Sequence, residues 1–195
     1  MSDLTAFVLA GGKSTRMGED KASLAFKGRT LLQRALDLAH AVAGKVRIVG
    51  DRKKFSAFGP TIEDLFPHRG PLGGIHAALQ SSNTDLNLIL AVDMPLLTPE
   101  FLQHLLAQAR ATSALVTVPR CGGGWQPLCA VYRSGFLAVA AQALQSGHNK
   151  IDPLFARVPV SVLEEADLRR LGFGAEIFRN LNTPEDLQLA SGQKA

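Results

Sequence analysis

Short apolar runs alternate along the chain with stretches whose hydrophobic residues recur every three or four positions. The runs predict strands over 6–10, 46–49, 61–63, 87–92, 114–118 and 128–132. The second pattern predicts helices over 30–43, 72–80, 99–111, 134–145 and 151–155. In the first helix, Leu31, Leu32, Ala35, Leu36, Leu38 and Ala39 form one apolar face. Thr98-Pro99-Glu100 offers an N-cap and a first-turn proline, and Thr183-Pro184-Glu185-Asp186 repeats the device for a final helix. Gly122 to Trp125 reads as a glycine-rich loop.

Strand–helix alternation of this kind predicts an α/β fold of three layers, α/β/α and Rossmann-like, around a mostly parallel sheet. With 195 residues, one domain spans 1–195, a nucleotide-binding half over about 1–98 and a second half over 99–195. Ligands of such sheets lie beyond the carboxyl ends of the strands. The loop after the first strand, the Glu63-Asp64 end of the third and Asp93 at the end of the fourth should therefore meet.

Composition narrows the classes. Hydrophobic residues make up 46% and charged residues 19%, which suits a globular chain and leaves no run able to span a bilayer. Met1-Ser2-Asp3 opens no signal peptide, so a cytoplasmic location is expected. A net charge of +4 with 6% aromatic residues and no basic stripe argues against nucleic acid and fits small anionic substrates. Cys121 and Cys129 lack metal-ligand spacing and read as reduced cysteines. The five histidines show no zinc pattern; His76 and His104 fall in helical patterns and read as packed or solvated.

The densest chemistry lies where the first strand ends. Gly11-Gly12 lets backbone N–H groups approach phosphate oxygens, and Lys13, Arg16 and Lys21 bring positive charge. Together they point to a nucleoside triphosphate. Gly12-Lys13-Ser14 is not a Walker A loop, because Phe7 stands where that motif needs its first glycine. The G-x-G-x-x-G dinucleotide fingerprint fails as well, which disfavours a GTPase switch and a dinucleotide enzyme alike. Asp93 closes the apolar run Leu88 to Val92, ahead of Met94-Pro95. Alone it would serve as a turn cap; beside a polyphosphate it reads as a Mg²⁺ ligand, since magnesium takes one or two carboxylates and completes its shell with phosphates.

Leu9-Ala10-Gly11-Gly12-Lys13-Ser14-Thr15-Arg16-Met17-Gly18-Glu19-Asp20-Lys21 resembles the signature of the MobA family, the molybdenum cofactor guanylyltransferases. Asp93-Met94-Pro95 is similar to the family's Asp-x-Pro, and Asn180-Leu181-Asn182-Thr183-Pro184-Glu185-Asp186-Leu187 to its ending. The resemblance implies the fold of nucleotide-diphospho-sugar transferases. It implies nucleotide binding by Leu9, Ala10, Gly11, Gly12, Lys21, Asp64 and Asp93, and catalysis by Arg16, Lys21 and Asp93. Asp93 holds the metal, Mg²⁺, in this assignment, and Asn180 and Asn182 bind the acceptor. GTP and molybdopterin are the implied substrates, with molybdoenzyme chaperones or other cofactor-biosynthesis proteins as partners. Trp125, in a stretch similar to the family, is a candidate cover for the acceptor.

Gly12 and the Asn180/Asn182 ending favour guanylyl transfer over a cytidylyltransferase for the same pterin or a sugar-phosphate nucleotidyltransferase. A non-catalytic cofactor-delivery protein is a further alternative, which a metal-binding carboxylate disfavours. The chain departs from the family at Gly50, where an asparagine is usual, leaving Asp51 as the nearest polar substitute. Gly73-Gly74 opens a helix, either for tight packing or to present N–H groups to an anion or a base.

Overall fold

The computed structural model describes residues 3–11, 21–181 and 186. Two strands at its centre are buried along their whole length, β1 (Leu4–Leu9) and β6 (Leu86–Ala91). Their largely apolar sequences, broken only by Thr5 and Asn87, follow from being covered on both faces. Even-numbered residues Leu4, Ala6 and Val8 of β1 join one core, while Phe7 and Leu9 join the other. The first core packs under α1 (Leu31–His40) and α4 (Pro99–Arg110). The second packs under α3 (Pro71–Ser81) and α5 (Phe136–Gln145). Three layers result.

The remaining strands are β4 (Val46–Val49), β5 (Thr61–Ile62), β7 (Val116–Cys121), β8 (Gly124–Trp125), β9 (Cys129–Arg133) and β10 (Val160–Glu164). A separate small hairpin pairs β2 (Ala25–Phe26) with β3 (Arg29–Thr30). The main sheet has eight strands in the order β10-β7-β9-β6-β1-β4-β5, with β8 on β7. β4, β5, β6 and β1 run parallel, as does β10 with β7.

One strand departs from the parallel expectation. β9 lies between β6 and β7 and runs antiparallel to both. The chain from β7 to β9 is too short for the dozen or more residues a parallel crossover needs, so it must reverse. The expected glycine-rich loop is that reversal. Gly122 (φ 61°) and Gly123 (φ 76°) form a two-residue turn that pairs Cys121 with Gly124. The β2–β3 hairpin, α2 (Arg52–Phe55), β10 and α7 (Glu165–Arg170) escaped the periodicity reading, whereas the helix expected over 151–155 is present as α6 (Asp152–Phe155).

Predicted helix starts are in place. Thr30 caps α1 through Gln33 N, and Gln33 returns a bond to Thr30 N, completing a capping box. Thr98 caps α4 through Phe101 N. The 183–185 start of the last predicted helix lies outside the described residues.

A polar knot fixes the end of the central strands opposite the ligand edge. Asn87 is fully buried and donates through Nδ2 to the carbonyls of Thr84 (3.3 Å), Asp85 (3.1 Å) and Tyr132 (3.2 Å). Thr84 Oγ1 donates to Thr5 Oγ1 at 2.9 Å, tying β1 to the turn before β6. Arg133 Nη2 donates to the carbonyls of Ala109 (3.1 Å) and Thr112 (2.7 Å), closing the C-terminus of α4. Asn87→Ala should strip partners from buried carbonyls and lower stability by about 2–3 kcal/mol, measured by urea unfolding. A loss below the spread of ordinary surface substitutions would mean that water replaces the amide.

Candidate functional site

The carboxyl ends of β6, β1, β4 and β5 open into one cleft of about 910 Å³. Backbone bonds hold these ends side by side: Val92 N donates to Leu9 O (3.3 Å), Ala10 N to Val49 O (2.9 Å) and Gly50 N to Ile62 O (2.9 Å). Leu9, Ala10 and Gly11 from β1, Asp64 after β5, Lys21 and Asp93 all line it. Residues far apart in sequence thus share one space, as strand order requires. Gly12, Lys13, Arg16 and Asn182 lie outside the described residues.

Lys21 opens the short 3-10 turn Lys21–Ser23, and Asp93 follows β6. Lys21 Nζ donates to Asp93 Oδ2 at 3.3 Å, with the two side chains 29% and 20% exposed. A cation and an anion are therefore both held at the cleft wall, neither sealed from a ligand. The Asp93 carbonyl also accepts from Leu181 N at 2.9 Å. That bond sets Asn180, an exposed residue, one position from the carboxylate's own backbone contact. Trp125, the candidate cover for the acceptor, is not among the residues lining this cleft; it lies edge-on to Phe155 (5.1 Å) beneath the guanidinium of Arg120 (5.3 Å).

The floor between β1 and β4 is backbone. A side chain on Gly11 would meet Gly50 Cα at 3.6 Å, and one on Gly50 would meet the Phe55 ring at 3.0 Å. Phe55 thus fills the room an asparagine would need, and its 5% exposure shows how fully it is packed. Asp51 lines the cleft, and one of its carboxylate oxygens serves the backbone. Its Oδ1 accepts from Lys53 N (2.8 Å) and Lys54 N (3.4 Å), capping α2. Sequence reasoning missed Lys54 and Phe55 as cleft residues, although their position one turn after β4 was the available signal.

Asp64 is wedged at the start of α3. Its Oδ1 accepts from Phe66 N at 2.8 Å. A side chain on Gly73 would come within 2.6 Å of Oδ2, so Gly73 exists to admit this carboxylate. Gly74 lets the same helix press on Leu9 and also lines the cleft. Both packing and ligand-facing backbone are served by this glycine pair. Burial raises the Asp64 carboxyl above its ordinary value, against the Phe66 N–H and the fields of His76 and His68. His76 is buried edge-on to Phe66 at 5.0 Å, and burial lowers its imidazole in turn. Cys121 and Cys129 are free and buried, and burial pushes the Cys121 thiol up to about 11, so it is inert at neutral pH.

Among the described residues, no group of three or more His, Cys, Asp or Glu side chains could hold a metal unaided. Asp93 suits a hard cation that draws its other oxygens from a bound phosphate chain. No helix among the described residues is long and apolar enough to cross a membrane.

Residues 6–162 match the family described as the MobA-like NTP transferase domain. A probable molybdenum cofactor guanylyltransferase of Pelotomaculum thermopropionicum is 34% identical over 189 residues, covering 96% of this chain and 91% of its own. A molybdenum cofactor guanylyltransferase of Desulfosudis oleivorans is 33% identical over 195 residues, covering 97% and 95%. Among solved structures, molybdopterin-guanine dinucleotide biosynthesis protein A of Archaeoglobus fulgidus is similar with a TM-score of 0.83 at 27% identity, covering 96% and 97%.

The raised Asp64 carboxyl has a consequence for stability. The native state binds its proton more tightly than the unfolded chain, so stability falls as pH rises from the ordinary 3.8 through the raised folded value and levels off above it. Asp64→Asn, which keeps the shape and drops the charge, should melt higher than wild type at pH 7. That gap should close as pH falls below the ordinary 3.8, where both states are protonated. Thermal unfolding of the pair across pH checks it, and a gap that widens in acid would reverse the sign.

Proposed function

The chain belongs to the family of MobA-like NTP transferases, and we propose that it transfers GMP from GTP to the terminal phosphate of molybdopterin, releasing pyrophosphate. It is a nucleotidyltransferase, and near full-length similarity to guanylyltransferases of two organisms supports the guanine dinucleotide as product. The observation that carries the reading is the Lys21–Asp93 pair at the cleft wall, next to a backbone floor that accepts a nucleotide.

The acceptor phosphate is already ionised and attacks the α-phosphorus in line, so no general base is needed. Positioning and charge neutralisation then supply the rate. Asp93 would hold Mg²⁺, whose charge withdraws electron density from the α-phosphate. Lys21, with Arg16 beyond the described residues, binds the triphosphate and stabilises the departing pyrophosphate. Lys21 can exchange its bond to Asp93 for one to phosphate, because its ammonium donates in three directions. The backbone N–H groups of Gly11 and Gly12 would serve the nucleotide, and Asp64 its nucleoside end. Asn180 and Asn182 would serve the acceptor, since amides can both donate and accept along a pterin edge. A cytoplasmic setting, with molybdoenzyme chaperones receiving the product, accords with this role.

Two measurements test it. Molybdopterin supplied with each of four nucleoside triphosphates and Mg²⁺ should yield dinucleotide and pyrophosphate with GTP; preference for another nucleotide would defeat the guanylyl assignment. Asp93→Ala should cut turnover about 10²-fold or more while circular dichroism stays native. Turnover near wild type would remove Asp93 from the mechanism.

A further inference from the structure

Three consecutive cations, Arg52, Lys53 and Lys54, build α2, yet of these only Lys54 lines the cleft. Arg52 is turned aside, with Nη2 reaching the Thr61 carbonyl at 3.5 Å. The orientation of the turn is fixed at both ends. Asp51 caps it from the N-terminal side, and Phe55 anchors it in the first core against Gly50. Lys54 therefore stands on a fixed turn at the wall of a cleft whose floor at Gly11 and Gly50 is backbone.

Sheet order locates what lies under it. β4 is two strands from β6, roughly 10 Å across the sheet. An α-phosphate at Asp93 leaves the base over the ends of β4 and β5, between Lys54 and the carboxylates Glu63 and Asp64. The floor of Gly11 and Gly50 accepts the face of any flat ring and reads no edge, so discrimination falls to the side chains at the rim. A lysine ammonium only donates. Guanine presents two adjacent acceptors, O6 and N7, on one edge, whereas adenine puts an amino donor beside its N7.

We propose that Lys54 is a specificity-determining residue, donating from Nζ to the O6/N7 edge of guanine in the place where Gly50 leaves no side chain. This assignment rests on the guanylyl reading above. It differs from a phosphate contact, which would serve every nucleotide equally.

The test uses Lys54→Met, which keeps the aliphatic stem, and Lys54→Arg, whose guanidinium can reach both acceptors. Dissociation constants for GTP, ITP and ATP are measured by calorimetry with Mg²⁺, alongside kcat with GTP. Lys54→Met should weaken GTP and ITP about tenfold or more, leave ATP unchanged and spare kcat; ITP keeps O6 and N7 and should follow GTP. Lys54→Arg should restore the preference. Equal weakening of all three nucleotides, or GTP binding unaltered in Lys54→Met, overturns the assignment. A wild-type protein without preference for GTP defeats the guanylyl reading itself, a separate and recognisable failure.

Discussion

The site depends on the parallel alignment of β4, β1 and β6. Each of these strands ends at the same edge, and bonds between the ends continue just past the ladder, from Ala10 to Val49 and from Val92 to Leu9. Shifting one strand by a residue would flip its side chains between the two cores and carry Gly11 or Asp93 out of the cleft. Such a slip is opposed by burial of every residue of β1 and β6. At the opposite edge the Asn87 and Thr84 bonds pin the same strands. Packing thus sets the positions of polar residues that themselves contribute little to folding.

Asp64 illustrates the tension between these demands. A carboxylate half-buried beside α3 costs stability, and the chain tolerates the cost by placing Gly73 against it and a backbone N–H on one oxygen. The other oxygen remains directed at the helix start, where the amides of the first turn favour negative charge. Asp93 meets the problem differently, through an ion pair with Lys21. In the partly exposed setting of this pair the Coulomb gain is modest. Its larger effect is to keep two oppositely charged groups aligned before a ligand arrives, so less reorganisation is left to binding.

Elements with strong local signals were legible. The apolar face from Leu31 to Ala39, the Thr98-Pro99 start and the runs over 6–10 and 87–92 each stated their type and, to within a residue or two, their place, and Lys21, Asp64 and Asp93 line the expected cleft. Hidden elements had weaker grammar. Lys27 and Gly28 turn the β2–β3 hairpin with φ of 49° and 79°, yet a lysine is an uncommon choice for a left-handed turn position. Four-residue α2 is too short for periodicity, and only its cap, Asp51, announces it. β10 did carry a signal, the alternation Val160-Ser161-Val162-Leu163 after Pro159, but it stands at the sheet edge where burial is incomplete. The antiparallel course of β9 followed from a chain-length constraint rather than from any pattern within the strand. Likewise the side-chain-free floor arises from contact between Gly50 and Phe55, whose partnership is tertiary although they are near neighbours in sequence.

Asp93 joins the cleft to the late segment of the chain. Asp93 faces the nucleotide cleft with its carboxylate and holds the late segment at Leu181 with its carbonyl. Leu181 is fully buried in the first core beside Ile177 and Phe178, so the chain cannot drift from Asp93 without exposing apolar surface. Phe178 in turn packs edge-on to Phe101 at 5.1 Å, joining this segment to α4 just after β6. The asparagine that precedes Leu181 is therefore positioned by the same hydrophobic cluster that positions the metal-binding candidate. In a two-substrate reaction with no general base, the relative placement of the two binding sites is the main lever on rate. Here Val92 and Met94, on either side of Asp93, share one core with Ile177, Phe178 and Leu181, so a single cluster fixes the separation of the two segments.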